Sequence, residues 1–138
     1  MKKEINFYEV DEGIVKAMAP ILLKILDEKK NAFIFIKNLE KIKEIDASLW
    51  SYGRSKFIPH VTIFDKDFES EKQPILISNE EKNLNNADYL IFLDEPNQDF
   101  LKEFSRSFYF FENSPNCSNI KADNFYKKQQ GKWIKISS

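Results

Sequence analysis

The sequence predicts an α/β fold: one three-layer domain, residues 1–138, with a mostly parallel sheet flanked by helices on both faces. Three observations carry that prediction. Strand-like and helix-like segments alternate through a length of 138 residues, which is the size of one domain. "NAFIFIKN" is a short continuous apolar run, as a strand buried on both faces requires. The only glycines are Gly13, Gly53 and Gly131, none in a phosphate-cradling motif, so the fold is Rossmann-like but lacks the loop that lets backbone approach a pyrophosphate.

The elements follow in order. "INFYEV" (5–10) reads as a first strand, broken by Gly13. Over 14–29 the residues Ile14, Met18, Ile21, Leu22 and Ile25 fall at helical spacing. Pro20 lies inside that stripe and predicts a kink or a restart, because proline removes a backbone donor and crowds the preceding turn. After the strand "NAFIFIKN", Leu39, Ile42, Ile45 and Leu49 return to helical period, with Trp50 at the end of that helix. "FIPHVTIF" reads as a loop leading into a short strand. "QPILIS" and "DYLIFLDEP" are further strands, separated by the polar turn "NEEKNLNNA". "QDFLKEF" is a short helix and "SFYFFEN" a strand. Residues 118–130 have helical character, with Ile120, Asn124 and Lys127 or Lys128 on related faces, and "KWIKIS" closes as a strand or an extended tail.

Composition narrows the function. Hydrophobic residues make up 42% of the chain and 13 are Phe, ample for a core, yet no run approaches the ~18 residues of a membrane span. "MKKEINFYEV" alternates instead of forming an apolar leader, so a cytoplasmic protein is expected. The single cysteine, Cys117, excludes an internal disulfide and leaves no zinc-binding set; no metal and no cofactor are expected. The net charge of −1 argues against a protein that coats nucleic acid. That balance is uneven. Residues 118–138 hold Lys121, Lys127, Lys128, Lys132 and Lys135 against Asp123, a local +4 that leaves −5 for the first 117 residues.

His60 and Thr62 form an H-x-T pair, which invites a reading as a small phosphoesterase or nucleotide-binding enzyme. Chemistry of that kind uses one imidazole as base and a second to protonate the leaving oxygen, and His60 is the only histidine of the chain. No catalytic residue is assigned. Two surfaces stand out instead. Trp50 ends a helix and Phe57 lies in the polar loop "SYGRSKFIPH", a pattern suited to a protein-docking anchor. Phe125 and Tyr126 are interleaved with lysines, which suits base stacking or an acidic peptide with an apolar anchor.

"INFYEV", "ASLWSYGRSKFIPH", "QPILIS" and "NNADYLIFLDEP", in that order and spacing, resemble the chi subunit of bacterial DNA polymerase III, an accessory protein of the clamp-loader complex. The L-W, F-[IV]-P-H, P-[VI]-L-[LI] and N-x-A-D-x-L-I-x-L elements carry the resemblance across essentially the whole chain. It implies a non-catalytic bridging subunit in DNA replication. One partner would be the acidic C-terminal tail of single-stranded DNA-binding protein (SSB); the other, on the opposite side, would be the psi subunit or a helicase substitute. Contact with nucleic acid would be mainly indirect. Matched by motif, the psi or helicase surface comprises Trp50, Phe57, Pro59 and His60. The tail pocket would have Phe111 near its floor and a C-terminal helix at its rim. There Lys121 matches the family arginine, Asn124 or Phe125 the aromatic, and Phe125 or Tyr126 the second basic position, with Lys127 or Lys128 supplying that charge after a one-residue shift. Lysine in place of arginine gives up bidentate pairing with a carboxylate.

Overall fold

In the computed structural model the described residues are 4–10, 13–52, 58–65, 73–112, 120–129 and 132–136. The elements run β1 (Glu4–Val10), α1 (Ile14–Asp27), β2 (Ala32–Phe35), α2 (Leu39–Ser51), β3 (Val61–Thr62), β4 (Ile75–Ser78), β5 (Tyr89–Phe92), α3 (Gln98–Leu101), β6 (Arg106–Glu112), β7 (Asn124–Gln129) and β8 (Lys132–Ile136). Among the described residues the strands form one eight-stranded sheet in the order β3-β4-β2-β5-β6-β1-β7-β8. Every neighbouring pair is parallel except β7 with β8.

The order explains the layers. The connections β1 to β2 and β2 to β3 both step toward the β3 edge, and right-handed crossovers in one direction put their helices on one face. There α1 and α2 pack on Tyr8, Val10, Ile34, Ile77, Ile91 and Phe110. The chain then returns across the sheet, and Phe100, Leu101, Phe104, Ala87 and Ile120 cover the opposite face over Phe7, Phe33, Phe92, Tyr109 and Phe111. Alternation along each strand sends successive side chains to opposite layers. Phe33, Ile34 and Phe35 therefore supply both cores from one short strand, which is why that run has no polar gap.

Gly13 caps α1 at φ 70°, a left-handed conformation that glycine adopts without the Cβ penalty. Pro20 does not split the helix: α1 runs unbroken from Ile14 to Asp27. Pro20 and Lys16, whose carbonyl would have accepted the missing bond, both lie on the exposed side, where water can satisfy that carbonyl. Asn38 caps α2, its Oδ1 accepting from the Lys41 amide at 3.0 Å.

The predicted C-terminal helix is overturned. Residues 124–129 are strand β7, parallel to β1 from Asn6↔Asn124 to Glu9↔Lys127. The cause is aromatic pairing that a helix could not provide. Phe125 meets Phe7 on one face, with ring centroids 6.2 Å apart, and Tyr126 stacks on Tyr8 on the other at 5.1 Å. Tyr8 also stacks on Phe110 at 5.0 Å and meets the edge of Trp133 at 5.1 Å. Burial among these rings pushes the Tyr8 phenol above its ordinary pKa of 10.0. At the start of β7, Asp123 Oδ2 accepts from the Ile5 amide and the Asp123 amide donates to the Ile5 carbonyl, each at 2.7 Å. The one acid among the five lysines thus holds β7 to β1.

Tyr8→Ala is expected to destabilise the protein by about 3 to 5 kcal/mol in urea unfolding, the range for a large buried ring. Amide exchange should accelerate first in β7 and β8; protection unchanged there would contradict the role given to this stack.

Candidate functional site

The residues singled out from sequence fall toward two sides of the sheet. At the β3 edge, Trp50 sits on the last turn of α2 with 53% of its surface exposed. Its ring lies over the His60 imidazole, with centroids 4.4 Å apart and planes tilted by 38°. His60 itself is buried. Its Nδ1 is 2.7 Å from the Ile58 carbonyl, which only accepts, so that nitrogen carries a hydrogen. Its Nε2 is 2.9 Å from Asp46 Oδ1. Pro59 is half-buried and Ile58 is buried against the core beneath α1 and α2. The structure therefore brings Trp50, Pro59 and His60 together. Phe57 lies outside the described residues.

Both imidazole nitrogens are engaged within the protein and the ring is covered by Trp50, so His60 presents no edge to a substrate. Thr62 is also buried. Its amide donates to Asp65 Oδ2 at 2.7 Å and its Oγ1 accepts from the Phe64 amide at 3.1 Å, a local turn closure. The H-x-T pair thus has a structural use at the end of a two-residue strand.

Sequence reasoning missed two residues here. Asp46 is the i−4 neighbour of Trp50 on α2, and such spacing places both over one helix face. The acid–His pairing across 14 positions needs the fold to be seen. Phe64, 44% exposed, lies beneath the Lys43 ammonium, 5.2 Å from its ring centroid. An aromatic just before the polar run "DKD" was the available signal.

Toward the other side of the sheet, Phe111, the penultimate residue of β6, lies on the face away from α1 and α2 and lines the crevice at the strand ends. It stacks on Tyr109 at 5.0 Å and meets Phe125 at 5.6 Å. Lys127 shares the Phe125 face, where its Nζ pairs with Glu9 Oε2 at 3.3 Å. Lys121 is exposed between Ile120 and Ala122, which pack on that same layer. Phe111, Phe125 and Lys127 are therefore associated with one face, and Lys121 is exposed near it in the chain. Tyr126 points to the opposite face against Tyr8 and Trp133, so it cannot share a pocket with Phe125, contrary to the helical reading. At position 128 the backbone pairs with Trp133.

The crevice at the carboxyl ends of the parallel strands, where such folds receive ligands, has a cavity of about 430 Å³. Among the described residues Glu40, Glu44, Asp94 and Glu112 line it against a single lysine, Lys41. The Asn38 side chain occupies the Lys41 amide at the α2 N-terminus and Asp94 Oδ2 takes the Lys37 amide at 2.8 Å, so two of the donors that could hold a phosphate are already engaged by acceptors of the protein. Among the described residues no group of His, Cys, Asp and Glu could hold a metal ion, and no helix is long and apolar enough to cross a membrane.

The fold and these surfaces define a single α/β domain with a mostly parallel sheet, a crevice at the strand ends lined by carboxylates, and an exposed Trp50 beside its β3 edge. Residues 1–136 match the family described as DNA polymerase III chi subunit, HolC, and the chain belongs to that family, an accessory component of DNA replication. It is similar to a Rickettsia prowazekii (strain Madrid E) protein named "Probable DNA polymerase III subunit chi", with 25% identity over 150 residues covering 95% of this chain and 90% of the relative.

Diethylpyrocarbonate, which acylates accessible neutral imidazole, should modify His60 only as fast as the protein opens. Rapid modification of the native protein at a single site would show an accessible ring and restore the catalytic reading.

Proposed function

We propose that the chain bridges the DNA polymerase III clamp-loader assembly to single-stranded DNA covered by SSB, without turnover of its own, in the cytoplasmic replisome. The β7 side receives the acidic C-terminal tail of SSB; the Trp50 surface docks the psi subunit or a helicase substitute. The observation that carries this reading is the placement of the two surfaces. From β3 to β7 the sheet spans six strand intervals, about 29 Å at ~4.8 Å each. Two partners engaged at opposite sides of one rigid sheet do not compete for space, and tethering of this kind works by effective concentration even when each contact is weak.

Charge and chemistry suit the assignments. The tail is anionic with an apolar end, and β7 offers Lys127 on the face of the partly buried Phe125. Net charge of −1 makes direct coverage of bare DNA the poorer fit, so nucleic acid is reached through SSB. The Trp50 surface offers an exposed indole, half-buried Pro59 and, in sequence, Phe57.

A fluorescent peptide with an acidic run ending in Phe should bind saturably, and substantially less tightly at ~0.3 M salt than at low salt. Lys121→Ala should weaken it about fivefold, the upper range for one exposed ion pair. Trp50→Ala should abolish capture of psi while leaving the peptide titration unchanged. Salt-independent peptide binding, or one variant disabling both contacts in a folded protein, would rule out two separate surfaces.

Glu9 competes with the tail for Lys127. Glu9→Gln removes the competing carboxylate and should tighten peptide binding by a few-fold, about the value of one surface pair; weaker binding would remove Lys127 from the site.

A further inference from the structure

We propose that Asp46 is a positioning residue which, through His60, holds the Trp50 indole in its docking orientation on the outer side of α2. The proposal rests on the reading of Trp50 as an anchor for the psi subunit or its substitute, and extends it by naming what fixes that anchor. An exposed tryptophan on the last turn of a helix samples several rotamers, and a partner that selects one of them must offset the lost freedom. Here the indole has a platform. The His60 ring beneath it is held at two points, Nδ1 to the Ile58 carbonyl at 2.7 Å and Nε2 to Asp46 Oδ1 at 2.9 Å. Two hydrogen bonds on different edges of a planar ring, added to the burial of the side chain, fix both its position and its tilt.

The helix supplies the geometry. Asp46 and Trp50 are one turn apart on α2, so the carboxylate grips the edge of the imidazole while the indole covers its face. Burial is unequal across the pair: the His60 side chain is fully buried, whereas that of Asp46 keeps 32% of its surface exposed. The carboxylate is thus close enough to solvent to be replaced without opening a cavity in the core, yet its partner is the ring on which Trp50 rests. Ile58 and Pro59, between the helix end and β3, carry the imidazole to this place. Among the described residues Asp46 is linked to the docking surface through His60.

The test uses protein grown with 5-fluorotryptophan. Its fluorine spectrum reports Trp50 and Trp133 separately, and the Trp50 resonance is the one removed by Trp50→Phe. Well below the unfolding transition, Asp46→Ala should move the Trp50 resonance toward its position in the unfolded chain. It should also weaken binding of purified psi subunit by about two- to tenfold, the effect of ordering one side chain. Asp46→Asn keeps a hydrogen-bond partner for Nε2, its amide able to accept or to donate, and should hold both the resonance and the affinity. A Trp50 resonance that stays in place in Asp46→Ala overturns the proposal, as does Asp46→Asn moving it as far as alanine does. If the resonance follows Asp46 as expected while Trp50→Ala binds psi normally, the docking reading fails and the positioning role stands.

Discussion

The structure depends on two adjacent aromatic residues, Phe7 and Tyr8, and on the rule that a strand sends them to opposite faces. β1 is flanked by β6 on one side and β7 on the other, so it joins the parallel sheet to the C-terminal hairpin. On one face Phe7 meets Tyr109, Phe111 and Phe125; on the other Tyr8 meets Phe108, Phe110, Tyr126 and Trp133. Ring pairs of this kind contribute about 0.5 to 1.5 kcal/mol each beyond the area they bury. The β1–β7 ladder covers only four residue pairs, and the connection between β6 and β7 carries a loop-closure cost, so these rings and the Asp123–Ile5 hydrogen bonds together attach the lysine-bearing strand.

The same topology explains why the crevice typical of the fold is not where the exposed aromatic and cationic groups collect. Helices α1 and α2 cross one face in one direction, which brings the end of α2 to the β3 edge and sets Trp50 beside His60. The return path fills the other face and leaves β7 and β8 at the far edge. Sheet edges are ordinarily a liability, because unpaired backbone groups recruit other chains. β3, only two residues long, limits that liability at one edge. At the strand ends, four carboxylates around the crevice oppose the phosphate recognition that glycine loops and helix N-termini provide elsewhere.

Much of this was legible in the sequence because it is local. The unbroken apolar run at Phe33–Phe35 and the helical stripe through Ile42, Ile45 and Leu49 each report their own burial. Residues 124–129 were misread because their pattern is ambiguous alone. Phe125 and Tyr126 side by side make sense as a strand only once β1 is known to present one aromatic to each face. His60 drew attention as chemistry because sequence shows the imidazole but not its partners. Asp46 is 14 residues away and the Ile58 carbonyl has no sequence signature. The Glu9–Lys127 pair is hidden for the same reason, since it joins residues near the two ends of the chain through parallel registry.

On the proposed reading the two edges differ in physical character, and that difference has a consequence for a bridge. Lysines are compact, strongly hydrated charges on flexible stems, so a contact built on them forms quickly, is screened by salt and is weakened by internal competitors such as Glu9. The Trp50 surface works by apolar burial on a fixed platform, which salt screening does not reach. A subunit with one labile ionic contact and one persistent apolar contact stays with its assembly while its hold on SSB is repeatedly made and released. The rigid sheet between the edges keeps the effective concentration high during each release. That asymmetry follows from where β1 places the hairpin and where α2 ends.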